Sequence, residues 1–241
     1  MTVETRTPDT GREVSITGRE VALQAAGFVG GVVVALGSLL LLHAAGLRPS
    51  LSSVMVTFTL VPALLSLTVG AWLLRRRSGA ADAVGLRRPR PGLGWLLLAF
   101  PVMVLGAVAF AVGVALVFFG GEPPKTAGAS DIVGLPPATA VVTAIGVVVI
   151  VPMAEELLFR GFLLTWLRGR FGPGRGPGVA AAVVSAAIFA VCHVAPPVMA
   201  YVFVVGLVLA WARLRFDSLL PGFLLHAANN ALVVVGAFSA L

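Results

Sequence analysis

Charge is scarce in this chain. Asp, Glu, Lys and Arg make up 11% of its 241 residues, while 59% are hydrophobic. A soluble domain of that length needs far more charge to cover its surface, which excludes a water-soluble globular fold. Cysteine is almost absent. Cys192 stands alone, so no intramolecular disulfide forms and no Cys-based metal cage can be built. Nucleic acid is not an expected partner either. The net charge of +7 would suit it, but the basic residues stand in short loops between apolar runs, which is a topology signal.

What the chain does have is long apolar runs, with a mean hydropathy of +1.02. About 20 residues of helix cross a bilayer. Seven segments qualify, roughly 21–46, 52–74, 93–119, 137–167, 178–195, 197–214 and 218–240. The expected class is all-α, a polytopic transmembrane helical bundle of about seven spans with the lipid bilayer as its partner. Turn chemistry marks the boundaries. Gly92 precedes the third span, Pro136-Pro137 opens the fourth and Gly172-Pro173-Gly174 follows it. Pro196-Pro197 separates the fifth from the sixth, and Pro221-Gly222 lies in the first turns of the seventh.

Residues 1–20 are polar and of mixed charge, unlike a cleavable signal peptide, so the first apolar run is read as a retained span. Arg6, Arg12 and Arg19 lie in this tail. Arg75, Arg76, Arg77, Arg87, Arg88 and Arg90 occupy the 75–92 loop, Arg168, Arg170 and Arg175 the 168–177 loop, and Arg213 and Arg215 the 213–217 turn. Together these hold 14 of the 17 basic residues, against Arg48 and Lys125 on the other side and Arg160 within a span. The alternation predicts a cytoplasmic N-terminus and an outer C-terminus. Heavy use of Ala, Gly, Val and Arg is associated with GC-rich bacterial genomes, so a bacterial plasma membrane is the expected location.

The first three spans carry little chemistry. Gly27 and Gly31 form a small-xxx-small pair that allows close helix packing, although ordinary glycine usage explains it as well. Pro101 is expected to kink the third span. His43, near the outer end of the first, needs no function, and Cys192 and Thr165 are expected to be packing residues.

The fourth span holds Glu155, Glu156 and Arg160. Each costs about 2.5–3.5 kcal/mol at a helix centre on insertion scales, so charge here signals function. Glu156 and Arg160, four residues apart, share a helix face and can pair. Glu155 points about 100° away and is left free. Pro152 removes a backbone hydrogen bond just before them. The fifth span ends with Phe189 and His193, and the seventh carries His226 and Asn230, each pair at i,i+4. At about 1.5 Å per residue, Glu155 lies about 20 Å in from Arg168 and His193 about 22 Å in from Gly178. His226 and Asn230 lie about 12 and 18 Å in from Ser218. Three helices thus bring these groups to one layer near mid-membrane.

Hydrolysis fits that set. A carboxyl buried in low dielectric has a raised pKa and serves as general base toward water. Imidazoles can position the water, stabilise an oxyanion or bind a metal, and an asparagine amide can donate to the oxyanion. Glu155, His193 and His226 are also an adequate Zn2+ ligand set with an open position. Ser185 and Cys192 are poorly placed as nucleophiles. A proton-coupled membrane transporter is the competing reading, since buried Glu, Arg and His also suit a proton relay. No internal repeat of the transporter kind is evident.

Glu155-Glu156-x-x-x-Arg160, Phe189-x-x-x-His193 and His226-x-x-x-Asn230, in that order, resemble the three motifs of the CPBP family. These are the CAAX-protease and bacteriocin-processing membrane endopeptidases, also called the Abi family. The resemblance spans about residues 137–235. It divides the chain into a tail at 1–20, helices at 21–136, a catalytic domain at 137–235 and an end at 236–241. It implies that Glu155 activates the attacking water. His193, His226 and Asn230 would complete the centre and hold the oxyanion, while Glu156 and Arg160 orient the first glutamate. The family is usually classed as metalloprotease-like. Eukaryotic relatives cut prenylated CAAX proteins, a substrate bacteria generally lack. The expectation is therefore peptide-bond hydrolysis of a membrane-associated peptide or protein. A non-catalytic bacteriocin-immunity protein on the same fold is a further alternative.

Overall fold

The computed structural model describes residues 15–121 and 130–239. Residues 1–14 with Arg6 and Arg12, Lys125 and residues 240–241 lie outside the described residues. The described chain is helical throughout. Its elements are α1 Gly18–Ala44, α2 Leu51–Arg75, α3 Ala80–Val84, α4 Leu96–Phe119 after a 3-10 turn at Leu93–Trp95, and α5 Ser130–Val133. They continue as α6 Pro137–Phe171, α7 Arg175–Val191, α8 Pro196–Phe216 and α9 Leu220–Ser239. Among the described residues, α1, α2, α4, α6, α8 and α9 are long and apolar enough to cross a membrane. At 17 residues α7 is shorter, at the lower limit for a span. The chain is a multi-pass membrane protein.

Local chemistry sets the helix ends. Thr17 caps α1 in a capping box, its Oγ1 accepting from Glu20 N–H at 3.2 Å and its own N–H donating to Glu20 Oε2 at 2.8 Å. Pro137 and Pro196 stand in first turns, where a missing N–H costs nothing. The fifth span differs from its expected range of 178–195. Its helix stops at Val191, and Ala195, directly ahead of Pro196, is steered out of the helical region. Val194 takes a positive φ of 63° and Ala195 is extended. Pro101 lies within α4, which stays continuous.

Within lipid, helices associate by close packing rather than by expelling water. Gly31 is where α1 meets α2, since a Cβ there would lie 2.4 Å from Pro62 Cα, and one at Gly27 would lie 2.9 Å from Val69. The small-residue pair is therefore a real contact. Gln24, fully buried one turn earlier, donates to both Ser66 O and Ser66 Oγ at 3.0 Å. On α4, Leu97, Leu105 and Val117 are exposed, as a face toward lipid requires.

The arginine-rich segments gather at one end. Arg77, just beyond α2, pairs with Glu20 of α1 at 3.1 Å. Asp217, between α8 and α9, pairs with Arg87, with Arg90 at 3.2 Å and with Arg213 at 3.1 Å. Thr165 of α6 donates to Ala83 O at 3.4 Å. Ser218 Oγ donates to Arg87 O at 2.6 Å. Burial alone raises the Asp217 carboxyl, but hydrogen bonds and charge from Arg87 and Arg213 outweigh it and hold the group below its ordinary value. The basic loop after α2 is thus a clasp over the helix ends as well as a topology signal.

Candidate active site

The site is built on α6, whose backbone departs from α-helical register twice. It is π-helical over Gly146–Ile150 and again over Glu156–Leu163. Such π segments recur at functional sites, where the extra residue per turn re-aims side chains. In the first segment Val151 N–H donates to Gly146 O. The next donor in that register would be residue 152, a proline without an N–H. The carbonyl this leaves over is taken from α9, where Asn230 Nδ2 donates to Val147 O at 2.9 Å. Pro152 was expected to disturb the helix, and its effect is a widened, unbroken one.

Glu155 ends the short α-helical stretch after this segment, and Glu156 begins the second π stretch. Both are buried, at 9% and 2% exposure. Glu156 Oε1 accepts from Arg160 Nη1 at 3.0 Å, the i,i+4 pair expected. Arg160 is wholly buried. Its Nη2 donates to Gly206 O on α8 at 3.3 Å, and its guanidinium lies 4.3 Å from the Phe189 ring centroid. Gly222 of α9 makes room for the carboxylate, since a Cβ there would stand 2.7 Å from Glu156 Oε2.

His226 joins the two glutamates. Its Nδ1 lies 3.2 Å from Glu156 Oε1 and its Nε2 3.5 Å from Glu155 Oε2. Glu155 does not stand free of the pair, as the 100° spacing suggested. One imidazole spans both carboxylates.

His193 occupies the turn after α7 rather than a helix. At about 1.5 Å per residue α7 is only about 25 Å long, so the turn sits at the depth of Glu155 and not at the far boundary. Its Nδ1 lies 3.0 Å from Phe189 O. A carbonyl only accepts, so Nδ1 carries the proton and Nε2 of the neutral ring is an acceptor. The Phe189 ring is the hub. His193 meets it at 5.0 Å between centroids, Phe159 at 5.0 Å and His226 at 5.8 Å, all edge-on. The structure thus brings Glu155, Glu156, Arg160 and His226 into direct contact. It sets His193 across one aromatic ring and places Asn230 one turn further along α9.

Residues 137–232 match the family model described as type II CAAX prenyl endopeptidase, Rce1-like. This segment is similar to that family, and the match covers under half of the chain. No curated protein and no solved structure matches the chain. The Rce1-like segment contains every residue named above, and the family is one of proteases. Its borders fall at the start of α6 and within α9, so α1 to α5 lie outside it.

Within the Rce1-like segment, Glu155, His193 and His226 do not gather as a Zn2+ ligand set. Among the described residues no three of His, Cys, Asp and Glu come together to hold a metal ion. Both His226 nitrogens face carboxylates, and His193 binds backbone. Two polar residues escaped sequence reasoning. Tyr201 Oη donates to Asn229 Oδ1 at 2.6 Å, and Asn229 Nδ2 to Asn230 Oδ1 at 3.4 Å. The lone tyrosine of the chain and the Asn229-Asn230 doublet were the available signals. Cys192, expected to pack, is exposed. Ser185 is buried and donates to Phe159 O at 3.0 Å, a structural use.

Proposed function

We propose that the chain is an intramembrane endopeptidase of a bacterial plasma membrane, N-terminus in the cytoplasm, cutting a peptide bond of a membrane-associated protein or peptide. The observation that carries this reading is His226 held between Glu155 and Glu156, at 3.5 and 3.2 Å, inside the family-matched segment. A water donates one hydrogen to Glu155 and the other to His193 Nε2. Glu155 takes its proton as the oxygen attacks the scissile carbonyl. Charge developing on the carbonyl oxygen is met by the second Nδ2 hydrogen of Asn230. Glu155 then returns the proton to the leaving nitrogen and the C–N bond breaks. His226 Nε2 faces Glu155 Oε2 and stabilises the proton while Glu155 holds it. Glu156 and Arg160 fix the His226 ring through Nδ1.

The family description names a prenylated CAAX substrate, so an internally quenched farnesylated CAAX peptide is the first probe. The full chain in proteoliposomes is expected to cut it. Glu155→Gln is expected to slow cleavage by about 10²–10⁴-fold, the usual share of a general base, with an unchanged melting temperature. Cleavage by Glu155→Gln at the unaltered rate would sink the reading.

A further inference from the structure

At the arginine-rich end of the bundle, away from the glutamates, a cavity of about 610 Å³ opens between α3, α6 and α8. Its volume is that of a small-ligand site. Arg87, Arg168 and Arg213 line it, with Leu164, Leu214 and Gly169 among its other walls. Arg213 is 5% exposed, fixed by Asp217 at 3.1 Å and by Ala83 O at 3.2 Å. Arg87 is likewise held by Asp217, through its side chain and through the Asp217 carbonyl at 2.9 Å. These two cations are therefore pre-positioned rather than free to wander.

Charge in the cavity does not balance. Asp217 is shared by Arg87, Arg90 and Arg213, and Asp82 is the other acidic residue of the wall. Arg168 enters no ion pair among the described residues and projects from the last turn of α6, exposed. Arg213 feels like charge from both Arg87 and Arg168. A compact anion bridging these guanidiniums relieves that repulsion, and guanidinium forks match phosphate oxygens two at a time. The apolar wall at Leu164 and Leu214 suits the carbon portion beside such a group. The last turns of α6 and α8 put the cavity at the bilayer boundary, where basic pockets between helices meet anionic lipid headgroups.

We infer that this cavity binds a phosphate group, held by Arg87, Arg168 and Arg213, as the headgroup of an anionic phospholipid. The site is independent of the proteolytic reading. The test uses the full chain in phosphatidylcholine nanodiscs, with phosphatidylglycerol titrated in and retained lipid counted by native mass spectrometry. Arg168→Gln removes a side chain with no ion pair to lose, so folding is preserved. Arg170→Gln removes the same charge from the same helix, outside the cavity. Arg168→Gln is expected to weaken retention about tenfold, the loss of one charge-assisted contact, and Arg170→Gln less than about threefold, a general surface effect. A parallel arm titrates inorganic phosphate and follows the melting temperature. Stabilisation by phosphate alone, abolished by Arg168→Gln, would keep the phosphate site and assign it to a free anion. Equal losses for the two variants, or no phosphatidylglycerol retention and no phosphate stabilisation by the unaltered chain, would overturn the inference.

Discussion

Arg160 carries its charge on a side chain with no exposed surface. Glu156 Oε1, Gly206 O and the Phe189 face are its partners, and it is fully buried. A buried ion pair gains little over an apolar replacement of both members, yet removing one member strands the other. Arg160→Ala is therefore expected to destabilise the protein by about 3–5 kcal/mol, measured by thermal unfolding in detergent. The double variant Glu156→Leu with Arg160→Met is expected to recover much of that loss while leaving the CAAX probe uncut. Stability unchanged in Arg160→Ala would mean that Glu156 finds another partner. The same logic makes Phe189 more than filler, because one ring packs against His193, His226 and Arg160 together.

Helix α6 shows how an element can serve a site by departing from ideal geometry. Pro152 ends the first π ladder by lacking an N–H, and Asn230 reaches from α9 to the carbonyl left over. Pro152→Ala supplies a donor within α6. The expected result is a melting temperature equal to or above that of the parent, because a helix gains a bond, together with slower cleavage of the probe, because Asn230 loses its anchor. Parallel measurement of unfolding and of kcat checks it. A variant that melts early and cuts at the parental rate would show that the proline serves packing alone. Length matters as well. Because α7 is short, it ends at the depth of the glutamates, and its closing turn delivers His193 there.

For the whole molecule, one end is tied by charge and the interior by close helix contact. Asp217 fastens the loop after α2 to the ends of α8 and α9 through Arg87, Arg90 and Arg213. Its pKa is depressed in the folded protein, so the unfolded chain binds its proton more readily. The stabilisation is then fully present above the unfolded value of about 3.9 and is lost as pH falls through the lower folded value. Asp217→Asn is expected to melt below the parent at neutral pH, and the gap is expected to close below about pH 4. Melting curves from pH 7 to pH 3 decide this. A gap independent of pH would assign the loss to hydrogen bonding rather than charge.

Composition and periodicity by themselves determined that the chain is a multi-pass helical membrane protein, and spacing by four residues determined the Glu156–Arg160 pair. The alternation of arginines grouped the loops that the structure brings to one end. These are local or one-dimensional properties, encoded by the burial cost of charge and the pitch of a helix. Tertiary structure alone decided that His226 spans both glutamates, from 70 and 71 positions away in the chain. It also decided that His193 lies in a turn, that α6 runs in two π segments, and that Asn230 answers a carbonyl on another helix. Each depends on how helices approach one another, through glycines at 206 and 222 that admit Arg160 and Glu156. A linear pattern specifies the face of a helix, but not its partner or the register its backbone adopts against that partner.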